Sequence, residues 1–253
     1  MRWTERQQAM LQAMGIRLFE PATPQRDRLP PAEPSPTPPP PAPAARPASQ
    51  PDAPHRADVA TLDWAALREA VASCRACKLC ESRQQTVFGV GHPQAQWMIV
   101  GEAPGEQEDR QGEPFVGPAG QLLDNMLRAI GLTRGEAAPA RQVFIANTLK
   151  CRPPKNRNPE PAETAQCAPF LERQIALVRP RIILAMGRFA AQALLASDEP
   201  LGRLRGRVHQ YRGVPVVVTC HPAYLLRTPT DKARAWEDLC LAASVVAAAA
   251  EAT

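Results

Sequence analysis

Between Pro21 and Pro54 the chain places 14 of its 29 prolines, interleaved mostly with Ala, Ser, Thr and Gln. Proline locks φ and removes a backbone donor, and this stretch has almost no large apolar side chain to bury. It is expected to be an extended, disordered tether. Of 253 residues, 196 remain once residues 1–57 are set aside. That is enough for one well-cored domain and too few for two large ones. The expected plan is a short amphipathic helix at 1–20, a Pro/Ala-rich linker at 21–57 and one folded domain at 58–253.

Several classes are excluded early. Arg2, Glu5, Arg6 and Gln7 interrupt any apolar core that a signal peptide would need near Met1. The longest apolar run, Leu239 to Ala250, is shorter than the roughly 20 residues that span a bilayer. A soluble, cytoplasmic chain with no membrane partner is expected. Seven cysteines without an export signal point to metal, cluster or core use rather than a disulfide scaffold. The net charge of +5, from 30 basic and 25 acidic residues, suits a polyanionic partner.

In the leading segment, Thr4 and Gln7 have capping-box spacing, and Met10, Leu11 and Met14 share a helical face. The run Ile16-Arg17-Leu18-Phe19 resembles the Leu-x-Leu-Phe end of peptides that dock on the replication sliding clamp. Gly15 stands where such peptides usually carry Gln. The segment is therefore a candidate clamp-docking arm.

From Asp58 onward, short apolar strands alternate with amphipathic helices. Strands are expected at Trp97–Val100, Val143–Ala146 and Ile182–Ala185, with a hairpin of 207–211 and 214–219 around Arg212-Gly213. Helices are expected near Leu62–Ala72, from Leu122 to about Gly131, from Pro161 to about Val178 and from Phe189 to Leu195. A final helix would put Trp236, Leu239, Cys240, Ala243 and Val246 on its inward face. This alternation predicts a parallel α/β sheet covered on both sides. Loops leaving the strand C-termini then gather at one edge, where ligands bind. Three of them are chemically loaded: GEAPGEQED, NTLKCRPPKNRNP and CHPAYLLR.

Cys74 and Cys77 form a C-x2-C pair that Cys80 extends, and Cys151 and Cys167 follow with fifteen residues between them. Two C-x2-C pairs would be usual for a zinc ribbon, whereas an iron–sulfur cluster accepts thiolates from separate loops. Spacing alone leaves both open. Cys220 and Cys240 read as core thiols.

The loop GEAPGEQEDRQGEPFVG lacks the Gly-Lys-Ser/Thr ending of a phosphate cradle and the three-glycine dinucleotide fingerprint. Its carboxylates Glu102, Glu106, Glu108 and Asp109 would repel phosphate. A solvated acidic loop, or a turn facing a neutral ligand, is expected.

Taken together and in order, C-x2-C, GEAPGEQED with EPFVGPAGQLLD, a strand ending in Asn, KCRPPKNRNP with its distant cysteine, and HPAYLLR resemble family-4 uracil-DNA glycosylases. These enzymes carry a 4Fe–4S cluster. The match spans roughly Ala66 to Ala247. It implies a three-layer α/β/α fold with a central, mainly parallel sheet. It also implies cluster ligation by Cys74, Cys77, Cys151 and Cys167, with Cys80 left spare. Glu102 and Ala103 would shape a uracil pocket through the turn's backbone, Phe115 would stack on the base, and Asn147 would read its polar edge. His221 would lie near the uracil carbonyl, and Glu108 would be the carboxylate closest to a role with water. Cousins of the family place a catalytic aspartate where this chain has Ala103, so a base must come from elsewhere or matter less.

The chemistry suits those roles. Uracil must leave the stack before its bond can be cut, whether it is met in single- or double-stranded DNA. A fixed donor such as His221 would stabilise the departing anion, and a carboxylate such as Glu108 would steady the sugar cation. DNA contacts are expected from Lys150, Arg152, Lys155, Arg157 and Arg227, with Leu225 and Leu226 as candidate wedges. A subgroup that traps DNA covalently carries an Arg-rich insert ending in His; CRPPKNRNP has no histidine, which favours hydrolysis with turnover. The rival from another class is a non-catalytic iron–sulfur module that binds DNA and recruits replication or repair factors. A monomer is expected.

Overall fold

The computed structural model describes residues 56–251. The expected helix at 1–20, the clamp-like run and the linker through residue 55 lie outside the described residues.

The first helices are α1 (Arg56–Val59), α2 (Trp64–Ala72) and α3 (Leu79–Ser82). Strands β1 (Val90–Gly91) and β2 (Trp97–Gly101) follow, then helices α4 (Glu106–Gln111) and α5 (Pro118–Ala129). Next come β3 (Val143–Asn147), α6 (Pro161–Val178), β4 (Ile182–Met186), α7 (Arg188–Leu195) and α8 (Leu201–Leu204). The hairpin β5 (Val208–Tyr211) and β6 (Val214–Thr219) leads to α9 (Pro222–Arg227) and α10 (Lys232–Glu251).

The sheet runs β1-β3-β2-β4-β6-β5. Its four inner strands are parallel, and each edge strand is antiparallel to its neighbour. Alternation along each strand divides the core in two. Met98, Val100, Phe144, Ala146, Ile183 and Ala185 pack on one face against α2, α6 and α7. Trp97, Ile99, Val143, Ile145, Ile182 and Leu184 pack on the other against α5 and α10. Three layers result because every inner strand is apolar on both sides, as a parallel sheet requires. Among the described residues no helix is long and apolar enough to cross a membrane.

Two expectations are corrected. On α10 the inward residues are Ala235, Asp238, Leu239 and Ala242, while Trp236 and Cys240 are exposed. Leu239, Ala243 and Val246 do pack on the core, but Asp238, paired with the part-buried Arg205, also points inward, which an apolar pattern does not reveal. The acidic stretch expected as a solvated loop instead contains α4. Carboxylates in its first turn favour a helix by offsetting the macrodipole.

Ile99 is fully buried in β2, with Ile145 and Leu184 beside it in register. Replacing it with Ala is expected to cost about 2–5 kcal/mol, read as a lower midpoint in denaturant unfolding with an unchanged slope.

Candidate active site

The C-terminal ends of β2 and β3 are stitched together. Thr148 N–H donates to Gly101 O at 3.0 Å, and Leu149 N–H donates to Glu102 O at 3.1 Å. The Thr148 hydroxyl also donates to Glu102 O, at 2.5 Å. The turn after β2 and the loop after β3 therefore form one wall of a cleft of about 780 Å³.

Two side chains crowd around Gly101. A Cβ there would lie 2.4 Å from Asn147 Oδ1 and 2.6 Å from Phe115 Cζ, so only glycine lets both reach the cleft. Phe115 sits at φ 55°, and its carbonyl oxygen would be 1.7 Å from a Cβ on Gly120. The loop carrying Phe115 thus rests directly on α5. Asn147 is buried and lines the cleft; its side-chain amide makes no hydrogen bond among the described residues.

His221 caps α9, and its Nδ1 accepts from Ala223 N–H at 3.2 Å. Its ring stacks on Phe115 with centroids 5.3 Å apart and planes at 26°. Enclosure lowers its pKa to about 4, helped by nearby Arg227. The ring is therefore neutral near pH 7, and because Nδ1 accepts, the proton sits on Nε2 as a donor for the cleft.

The carboxylates of the first loop are engaged by protein partners, two of them by backbone N–H groups. Glu108 accepts from Gly105 N–H and Val116 N–H, one on each oxygen and both at 3.1 Å, while lining the cleft. Asp109 is buried and accepts from Gln84 N–H and Gln85 N–H. Glu106 pairs with Arg110 and Arg152. Burial raises the Glu102 carboxyl above the ordinary carboxylate range, against the pull of Arg188.

The residues assigned to the pocket by sequence, Glu102, Ala103, Glu108, Phe115, Asn147 and His221, all line this one cleft. The assigned DNA contacts divide. Lys150 is 2% exposed and Leu225 is fully buried, so neither reaches DNA as a surface cation or a wedge. Lys150 Nζ is held by Asn147 O and Gln174 Oε1, and Leu225 packs with Cys220 and Ala235. Arg152 is committed to Glu106 and Asn156. Arg157 lines the cleft but spends its guanidinium on both oxygens of Glu163. Lys155, Leu226 and Arg227 are exposed, and Arg227 lines the cleft.

Sequence reading overlooked Arg188, Phe189, Tyr224 and Arg234, which also line the cleft. Arg188 and Phe189 open α7, directly after the turn leaving β4. The rule that selected the other three loops applies to it equally, but its Met-Gly-Arg-Phe stretch carries no recognisable motif.

A second pocket lies behind the β3 loop. Cys74, Cys77, Cys80, Cys151 and Cys167 line it, walled by Val71, Leu79, Leu149 and Phe170. Arg83 donates from Nη1 to Cys151 Sγ at 3.0 Å and from Nη2 to Cys74 O at 2.8 Å. Lys150 N–H donates to Cys167 Sγ at 3.2 Å. Burial pushes the Cys151 thiol up to about 11, against Arg83, and the Cys167 thiol up to about 12, against Lys150. Among the described residues no three Cys, His, Asp or Glu side chains close on the position of a single ion.

The sequence pattern described as the uracil DNA glycosylase superfamily matches residues 88–240, which carry the cleft's wall from Gly101 through His221. The chain belongs to this superfamily. The Type-4 uracil-DNA glycosylase of Sulfurisphaera tokodaii is 43% identical over 172 residues, covering 64% of this chain and 76% of that protein. The Type-4 uracil-DNA glycosylase of Pyrobaculum aerophilum is 42% identical over 188 residues, covering 71% of this chain and 93% of that protein. The Type-5 uracil-DNA glycosylase of Thermus thermophilus is 36% identical over 135 residues, 50% of this chain and 59% of that protein. Within the uracil DNA glycosylase superfamily the chain thus groups with the type-4 members.

The histidine of this uracil DNA glycosylase has a defined pH signature. Its folded pKa of about 4 lies below the ordinary 6.5, so the unfolded chain takes up the proton first as pH falls. The stability it contributes is full above about 6.5 and is lost as pH drops toward 4. Ring-nitrogen NMR at about pH 6 should show His221 neutral and protonated on Nε2; a charged ring there contradicts the assignment.

Proposed function

We propose that this chain is a uracil-DNA glycosylase that takes a flipped-out uracil nucleotide into the cleft and hydrolyses its N-glycosidic bond, leaving an abasic site. The observation that carries the reading is the convergence of Phe115, the unengaged amide of Asn147 and the neutral, Nε2-protonated His221 on one cleft, in a chain of this family.

Phe115 offers a buried ring face to the base. Asn147 can both donate and accept, which matches uracil's O4 and N3–H; cytosine presents the opposite pattern and would leave buried groups unpaired. Bond cleavage places negative charge on uracil O2, where the His221 Nε2–H donor would stabilise it without a proton having to be transferred. Glu102 and Ala103 shape the turn beside the base. Glu108 is anchored by two backbone donors but keeps further lone pairs toward the cleft, enough to orient water and face the sugar cation. Lys155, Arg188 and Arg227 are the cations for phosphate, and Leu226 is the apolar side chain placed to fill the vacated stack.

Cys74, Cys77, Cys151 and Cys167 would hold a 4Fe–4S cluster. The donor set is entirely sulfur, enclosed by apolar walls, and spread around a pocket rather than aimed at one point, which suits a polynuclear cluster better than one zinc ion. Bound there, it would cross-link the α2–α3 connection to the loop after β3, with no electron transfer in the reaction. Cys80 remains spare. On sequence grounds, residues 58–253 form the glycosylase domain of a cytoplasmic monomer, and the segment ending in Ile16–Phe19 is a docking arm for the sliding clamp.

Base release from uracil-containing single strands, U·A and U·G duplexes tests the activity. No release from any of them would favour the non-catalytic DNA-binding module. Asn147→Asp is expected to lower uracil release about a hundredfold or more while leaving DNA affinity nearly unchanged; a parallel loss of DNA binding would make the residue structural. The purified protein should be brown and contain iron with equivalent acid-labile sulfide. A colourless protein with stoichiometric zinc would overturn the cluster.

A further inference from the structure

Lys150 is displaced from the DNA face for a reason that the cleft alone does not supply. Its Nζ donates to Asn147 O at 2.8 Å and to Gln174 Oε1 at 2.6 Å. Gln174 is itself oriented by donating from Nε2 to Phe88 O at 2.8 Å. The same lysine's backbone N–H donates to Cys167 Sγ, and its chain neighbour is Cys151. One residue therefore touches the thiol pocket with its backbone and the base-reading asparagine with its side chain.

A buried ammonium facing only neutral carbonyl oxygens is costly unless an anion lies close by. The thiol pocket provides one when loaded. Four thiolates around a resting 4Fe–4S core leave a formal charge of about −2, and the two cations beside the pocket are Lys150 and Arg83. Arg83 reaches a ligand sulfur directly. Lys150 reaches across to β3 instead.

We propose that Lys150 is a positioning residue coupling the cluster to base recognition: its ammonium balances the cluster's charge and, by gripping the Asn147 carbonyl, sets the asparagine amide in the pocket. The proposal rests on the cluster reading above. It gives the cluster a task beyond cross-linking, since an empty pocket removes the anion that makes this buried grip favourable. The lysine, in turn, raises the cluster's affinity for an electron.

The test is Lys150→Met, which keeps the apolar stem and removes the ammonium, purified anaerobically beside the unaltered protein. The variant should lose iron to a chelator several-fold faster and show a more negative cluster reduction potential. Its KM for a uracil-containing single strand should rise about fivefold or more, with kcat changed less. A variant matching the unaltered protein in potential and KM overturns the proposal. Should Lys150→Met yield no folded protein, Gln174→Leu takes its place, since it keeps the ammonium but deletes one of its two oxygen partners. It should retain its iron and raise KM to a lesser degree; an unchanged KM overturns the coupling. An unaltered protein without iron and sulfide would overturn the cluster reading itself and this proposal with it.

Discussion

The splice between the ends of β2 and β3 governs the rest of the site. Parallel strands send their C-terminal loops to the same edge of a sheet, but an edge alone does not set side chains to within hydrogen-bond tolerance. Three hydrogen bonds from Thr148 and Leu149 to the carbonyls of Gly101 and Glu102 turn two loops into one rigid wall. Asn147 and Gly101 are paired in register at its base, which is why the asparagine and Phe115 meet over a residue without a side chain. The loop after β6 then delivers His221 onto Phe115 from the opposite side.

Much of this was legible in the chain. Strand positions followed from apolar runs too short for helices, and α6 was marked at its start by Pro161. The three loops stand out because they leave strand ends, where topology gathers them, and the resemblance to family-4 uracil-DNA glycosylases picks out the pocket residues within them. The failures share one physical cause, which is that a residue type does not reveal its partner. As a lysine in a basic loop, Lys150 reads as a surface cation, yet Gln174, distant in sequence, binds it inside. Leu225 and Leu226 are adjacent, and helix phase, invisible in a six-residue element, buries one and exposes the other. On α10 a buried aspartate paired with Arg205 shares the inward face, while Trp236 and Cys240 turn outward.

The thiol pocket and the cleft look independent in sequence, where they are read from different motifs. In the fold they share the segment from Asn147 to Cys151, whose first residue faces the cleft and whose last faces the thiols. Disturbing either end strains the same five-residue bridge. On the proposed reading, a cluster held by the thiols and base recognition by Asn147 would be linked through covalent continuity as well as through charge.

The carboxylates of the first loop show how little a composition says about a surface. Glu108 and Asp109 are turned onto backbone N–H groups, and Glu106 draws in Arg152, as Glu163 draws in Arg157. Acid and base cancel beside the cleft, leaving few unpaired cations to displace counterions from a nucleic acid. With Lys155, Arg188 and Arg227 still free to meet phosphate, residence on DNA should fall with salt at a slope set by about three contacts rather than by every basic residue of the loops. An enzyme so arranged would hold its substrate through the captured base more than through the backbone charge, and would leave undamaged DNA quickly.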